Sequence, residues 1–250
     1  MKFHAKTFFH RLFVYILGLF VLALGVAFSI NSNLGVSPVN SLPYVLSKIA
    51  HWDLSLMVTL VFTFYVLLQL LILRKDFKWI SVFEIAFSFV FGYFVSLGQL
   101  ILGDFTIPTY FGQLLMMVIS ILLIGLGVSM YINARLLPMP MEGLALALSS
   151  KSRKIGFSAM KSIVDTVAVC IGIALSFIFL HRLEGAHRAV FAESRNQIGK
   201  GIREGTVIAA ICVGFAVRLF SKPVIKLFRL ENYQPSAENS EATPQSAPAE

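Results

Sequence analysis

What this sequence most lacks is charge. Only 14% of its 250 residues are Asp, Glu, Lys or Arg, while 57% are hydrophobic and the mean hydropathy is +0.79. Soluble domains carry about a quarter charged residues, so a soluble globular chain is excluded. Cysteine is nearly absent: Cys170 and Cys212 both fall in apolar stretches, with no CxxC pair and no neighbouring histidine. They read as small apolar residues, not as a disulfide framework or a metal site. The five histidines, His4, His10, His51, His181 and His187, all lie outside the apolar runs. No H-E-x-x-H, G-x-S-x-G or P-loop pattern occurs, which leaves no enzyme signature and excludes self-powered ATP-driven transport. The alternation over ~10-residue segments that marks a membrane β-barrel is missing too.

The apolar residues come instead in blocks of about 20, the length a helix needs to cross a hydrocarbon core of ~30 Å. A helix satisfies its own backbone hydrogen bonds, which lipid cannot do. The expected spans are 12–30, 54–73, 79–102, 111–134, 155–180 and 205–221. The first run is too long for a signal-peptide core and has no A-x-A site after it, so it is expected to stay as a span.

Basic residues set the sidedness. Lys2, Lys6 and Arg11 precede the first run, and Arg74, Lys75 and Lys78 separate the second from the third. Arg135, Lys151, Arg153 and Lys154 lie between the fourth and fifth, and Lys222, Lys226 and Arg229 follow the sixth. Six crossings put all these clusters on one face, as the positive-inside rule expects. Both termini are then expected to be cytoplasmic. The net charge of +8 is accounted for by lipid-facing loops and predicts no nucleic-acid partner. After Glu231 the tail has no Lys, Arg or apolar cluster and is expected to be disordered.

Two segments, 41–51 and 143–151, suit helices but are too short to span. Each follows a proline, Pro38 or Pro140, placed as proline is at a first helical turn. They are either interfacial amphipathic helices, with Tyr44 and Trp52 as belt anchors, or re-entrant helices whose N-termini face an anionic ligand.

These segments belong to an internal repeat. LGVAFSINSNLGVSPVNSLPYVLS aligns without gaps on LGVSMYINARLLPMPMEGLALALS, pairing Gly25 with Gly127, Asn31 with Asn133 and Pro38 with Pro140. One residue out of register, Met57/Met160 and Thr63/Thr166 continue the match, and Gly92/Gly214 and Val95/Val217 close it. Each unit is a span, a Pro-led short helix and two further spans. Three crossings is an odd number, so the second unit enters the membrane upside down, an arrangement recurrent in secondary transporters. The expected fold is all-α membrane, with six transmembrane helices as two inverted three-helix repeats. The expected units are 1–102 and 103–222, followed by a cytoplasmic end at 223–250.

GVSPVNSLPYVLS, MPMEGLALAL, MKSIVD and REGTVIAA together resemble the YitT/YczE-like bacterial membrane proteins. The resemblance covers about 11–222. It implies an integral plasma-membrane protein without assigned chemistry and transfers no site residues. One departure is that Glu84 stands where the second half has Thr206.

Ionisable groups inside spans are costly and are the first places to look for function. Asp165 is expected near mid-depth, with Lys161 one turn before it on the same face. Both can equally serve as a helix-locking ion pair, between themselves or with Arg218. Glu84 is expected to snorkel to the interface. Asn31 and Asn133, with Asn40 and Glu142 of the short helices, complete the candidates. Glu142 is expected to cap its own helix. The leading expectation is a permease-like transporter of a small polar or anionic solute, needing no cofactor. The alternatives are a non-transporting accessory protein, or a substrate-binding subunit with an energising partner or a second copy.

Overall fold

The protein is described here from a computed structural model, covering residues 5–77, 79–103, 105, 107–152, 155–183 and 204–228. Among the described residues every regular element is helical. In chain order these are α1 (Ala5–Asn31), α2 (Pro38–Ala50), α3 (Leu54–Leu73), α4 (Phe83–Leu102), α5 (Tyr110–Ala134), α6 (Pro140–Lys151), α7 (Phe157–Leu183) and α8 (Glu204–Leu227). Five stretches are long and apolar enough to cross a membrane: Phe8–Asn31, Leu54–Asp76, Trp79–Leu102, Tyr110–Ala134 and Ala159–Ser176. The chain is therefore a helical, multi-pass membrane protein. The sixth expected span falls within α8 and is not among the five. Several residues of its apolar half, 204, 205, 207, 208, 210 and 211, lie outside the described side chains. The expected tail and most of the loop after His181 lie outside the described residues.

Side-chain contacts define the ends of the bundle. At the start of α1, His10 Nε2 donates to Phe228 O just past α8 at 2.9 Å, and Arg11 Nε donates to Ala134 O at the end of α5 at 2.9 Å. The N-terminus of α1 and the C-termini of α5 and α8 thus share one end. At the other end, Asn31 Nδ2 donates to Gly103 O at 3.0 Å, joining the C-termini of α1 and α4.

The axis of the molecule is the antiparallel pair α1 and α5, which approach on small residues. A side chain at Gly25 would reach Ile124 N at 2.8 Å, and one at Gly127 would reach Leu22 N at 2.5 Å. Glycine is what permits this backbone approach, the usual device for helix association where lipid removes the hydrophobic incentive. Tyr15, Leu19, Leu22, Ala23 and Val26 on α1 are buried, as are Ile124, Met130 and Tyr131 on α5. Large apolar side chains on α3 and α4, such as Phe64, Leu71, Phe89 and Leu100, point outwards, as lipid-facing residues do.

Each short helix is reached through a sharp reversal. Asn33 and Arg135 adopt left-handed conformations, at φ 56° and 50°, just after α1 and α5. The chain then runs back to Ser37 and Met139, held extended by the prolines that follow. The freed backbone groups of the first reversal are satisfied locally: Ser29 Oγ donates to Gly35 O and Ser32 Oγ accepts from Leu34 N.

Both short helices are enclosed by protein. All six residues from Pro140 to Ala145 are buried, which puts every face of the first turns of α6 inside the bundle. In α2, Pro38, Asn40, Ser41, Pro43, Tyr44 and Val45 are buried. An interfacial amphipathic helix buries one face only, so that expectation is corrected. Tyr44 is correspondingly buried and is no belt anchor, whereas Trp52 is 56% exposed. Cys170 is exposed on α7 and not packed inside.

Candidate functional site

Helix α6 owes its position to Gly143. A Cβ there would stand 2.7 Å from Gln69 Nε2 and 2.9 Å from Glu84 Oε2. A bare backbone at Gly143 lets the first turn of α6 settle onto these two side chains of α3 and α4 without displacing them. Gln69 Nε2 donates both to Glu84 Oε2 and to Pro140 O, each at 3.0 Å. At the far end of α6, Lys151 meets Asp76 at 3.4 Å. Gln69 lies in the last turns of α3, and Asp76 in the short turn that follows that helix. The N-terminus of α6 therefore lies deep in the bundle and its C-terminus at the end marked by Asp76.

Around that buried N-terminus the other polar groups converge. Glu142 accepts a hydrogen bond from the Tyr131 hydroxyl of α5 and lies 3.6 Å from Lys161 Nζ of α7. Lys161 also pairs with Asp165 at 3.5 Å. Glu84 and Glu142 are within electrostatic range of one another, and Tyr65 is within range of Asp165. Glu84 is 1% exposed and Glu142 8%, so water screens neither to any extent. Three atoms of the cluster are buried without a hydrogen-bond partner: Glu84 Oε1, Asp165 Oδ1 and the Tyr65 hydroxyl. Buried polar groups are usually satisfied; Asn40 Oδ1, Ser129 Oγ and Thr206 Oγ1 are the other described buried side-chain atoms left unpartnered.

The cluster corrects several expectations. Glu84 does not snorkel: it is buried and bonded to Gln69. Glu142 does not cap α6, whose N-cap residue Met139 makes no side-chain cap, because its carboxylate is turned to Tyr131 and Lys161. Lys161 and Asp165 do pair, but Lys161 is shared with Glu142, which spacing along one helix did not indicate. Arg218 is exposed on α8 and has no ion pair among the described residues. Asn31 and Asn133 end antiparallel helices, roughly 30 Å apart by helix rise, and serve as end caps: Asn31 on Gly103, Asn133 on Ser129 O at 2.7 Å. They cannot line one site. Asn40 is buried at the start of α2, donates to Ser37 Oγ at 3.2 Å and leaves its Oδ1 unpartnered.

Sequence reasoning overlooked Gln69, Tyr65, Tyr131 and Gly143. Gln69 and the tyrosines carry no charge and sit among apolar neighbours, though a glutamine deep in a span is itself a signal. The side chains also reverse the expected electrostatics. A helix N-terminus suits an anion, yet the start of α6 carries Glu142 and lies against Glu84 of α4, with Asp165 and the Lys161 ammonium on α7. No three His, Cys, Asp or Glu side chains among the described residues are grouped to hold a metal ion.

The model of a family of unknown function, DUF6198, matches residues 9–222. No curated protein and no solved structure matches the chain.

Proposed function

We propose that this chain, which belongs to that family of unknown function, is a small-solute transporter with two inverted halves and its polar centre at the buried start of α6. The observation that carries the proposal is the cluster of Glu84, Glu142, Lys161 and Asp165, the first two buried and the last two partly exposed, with the buried atoms Glu84 Oε1, Asp165 Oδ1 and the Tyr65 hydroxyl unpartnered. Holding such groups in a membrane protein is costly, and packing alone gives no reason to keep them unsatisfied.

Several contacts support the inverted arrangement. Adding 102 to Gly25 gives Gly127, and subtracting it from Ile124 gives Leu22, so the two tightest α1–α5 approaches are equivalents of one another. The same offset relates the left-handed Asn33 and Arg135, and the turn bonds Asn33 N to Ile30 O and Arg135 N to Ile132 O. The short helices cross over between halves: α6 packs on α3, and α2 packs on α7. On this reading α2 and α6 are re-entrant from opposite faces and α8 is the sixth crossing. The basic end carrying Arg11, Arg74, Arg135 and Lys151 is then cytoplasmic, following the positive-inside rule, in a bacterial inner membrane. The resemblance to YitT/YczE-like proteins fits the same placement.

The two crossing contacts also supply a means of alternating access. Parting α6 from α3 and α4 uncovers Glu84 and Gln69, while the matching contact of α2 with α7 stays shut. The test is flux of a panel of radiolabelled small solutes into proteoliposomes under an imposed proton gradient. Saturable uptake that the Glu142→Gln and Asp165→Asn variants reduce at least tenfold is the expected result. A structural accessory role predicts no uptake of any solute by folded protein.

A further inference from the structure

The weakest-compensated group in the cluster is Glu84. Glu142 has Tyr131 and Lys161, and Asp165 has Lys161. Glu84 has no ion pair among the described residues. Its Oε2 shares the Gln69 amide with a backbone carbonyl, and its Oε1 makes no well-formed hydrogen bond, with only the Ser81 side chain beside the carboxylate. The groups that face it are Gln69 from α3, Tyr15 from α1 and Glu142 from α6, with Ser81 from the turn before its own helix. Beyond Glu142 come Tyr131 of α5 and Lys161 and Asp165 of α7. None of these brings a free positive charge.

A carboxylate buried this completely cannot stand ionised without a counter-charge; the cost runs to several kcal/mol. It holds either a proton or a cation. What it offers a ligand is acceptor capacity, at Oε1 and at the partly used Oε2, so the complementary ligand is a positive group bearing N–H donors. An anion finds the only ammonium already engaged by two carboxylates. The carboxylates are also too dispersed for a metal ion among the described residues.

We infer that Glu84 is an exchange site, at which a small ammonium- or guanidinium-bearing solute displaces a proton. The inference deepens the transport reading by naming its substrate class. In the step, a solute N–H donates to Glu84 Oε1, the Glu84 carboxyl loses its proton to water, and the carboxylate that remains is paired with the solute's charge. Gly143 is the cover: while α6 lies on Gln69 and Glu84 the site is closed, and lifting it admits the solute. Competition follows directly, because one carboxyl holds one charge at a time.

The test uses the purified full-length protein in detergent, weakly buffered, with a pH indicator. Ethylammonium chloride or guanidinium chloride should release about one proton per chain from the wild type, and none from a folded Glu84→Gln variant. The surface variant Asp53→Asn should release as the wild type does. Infrared difference spectra of the wild type need no variant: the protonated-carboxyl band should fall as ethylammonium is added. Absence of release with either cation, or release that persists in folded Glu84→Gln, overturns the site. Equal release by sodium chloride overturns the solute class. Release without flux in proteoliposomes leaves the exchange site standing and overturns transport, and flux without release does the opposite.

Discussion

Lys161 is the residue on which the charge balance of the second half turns. Its ammonium lies 3.6 Å from Glu142 and 3.5 Å from Asp165, with a side chain 29% exposed. Removing one partner from a buried ion pair leaves a charge uncompensated and typically costs 3–5 kcal/mol. Partial exposure of Lys161 and Asp165 lowers that here. Lys161→Met should therefore destabilise by about 2 kcal/mol, and adding Asp165→Leu should restore part of the loss, because an apolar replacement removes the orphaned carboxylate. Thermal unfolding of the two variants in detergent measures this. A single variant as stable as the wild type would show that the triad carries no net interaction. Gly143 makes a different demand. An alanine there presses on the ends of two flexible side chains, so Gln69 and Glu84 can swing aside. Gly143→Ala should cost only about 1 kcal/mol of stability while breaking the Gln69 bonds to Glu84 and Pro140.

Between elements, the contrast with Gly127 is instructive. A Cβ there meets Leu22 N at 2.5 Å and Gly18 O at 2.7 Å, which are backbone atoms of α1 and have no rotamer to change. Whole helices must separate to make room. Gly127→Ala should accordingly cost about 3 kcal/mol, more than Gly143→Ala, and paired melting curves decide the order. An inverted order would mean that α1 and α5 yield more readily than the cluster does. The short helices follow the same physics. Proline at the first turn removes an N–H that has no partner anyway, and a left-handed residue turns the chain back. The remaining backbone groups can then be buried only because protein, not lipid, surrounds them.

For the whole molecule, sidedness is the property open to the simplest check. His10 with Phe228 and Arg11 with Ala134 place three helix ends together, and Asp76 with Lys151 marks the same face through α3 and α6. Asp53, past the end of α2, belongs to the opposite face. In a background with Cys170 and Cys212 replaced by serine, Lys75→Cys should react with a membrane-impermeant maleimide only after the cytoplasmic face is opened. Asp53→Cys should react in intact cells. Labelling of both from one side would refute six alternating crossings and, with them, the inverted halves.

Much of this was legible in the residues themselves. Apolar runs of spanning length, the prolines that begin α2 and α6, and Gly25 and Gly127 in one register are local properties, and helices form from them wherever the chain is placed in lipid. Asp165 and Lys161 stand one turn apart, so their pairing also followed from helix geometry. The site did not follow. Glu84 lies in the first turn of α4, a position where a long side chain can reach the interface, and nothing nearby in sequence says otherwise. It is buried because α6 returns into the bundle and Gly143 brings that helix down upon it. Gln69, Glu84, Tyr131, Glu142 and Lys161 come from five different helices, and no periodicity within any one of them records the other four. Sequence determined which segments are helical and that they belong in a membrane, since both depend on short-range pattern. Tertiary packing alone decided which polar groups meet, and it left Glu84 without an ion pair among the described residues.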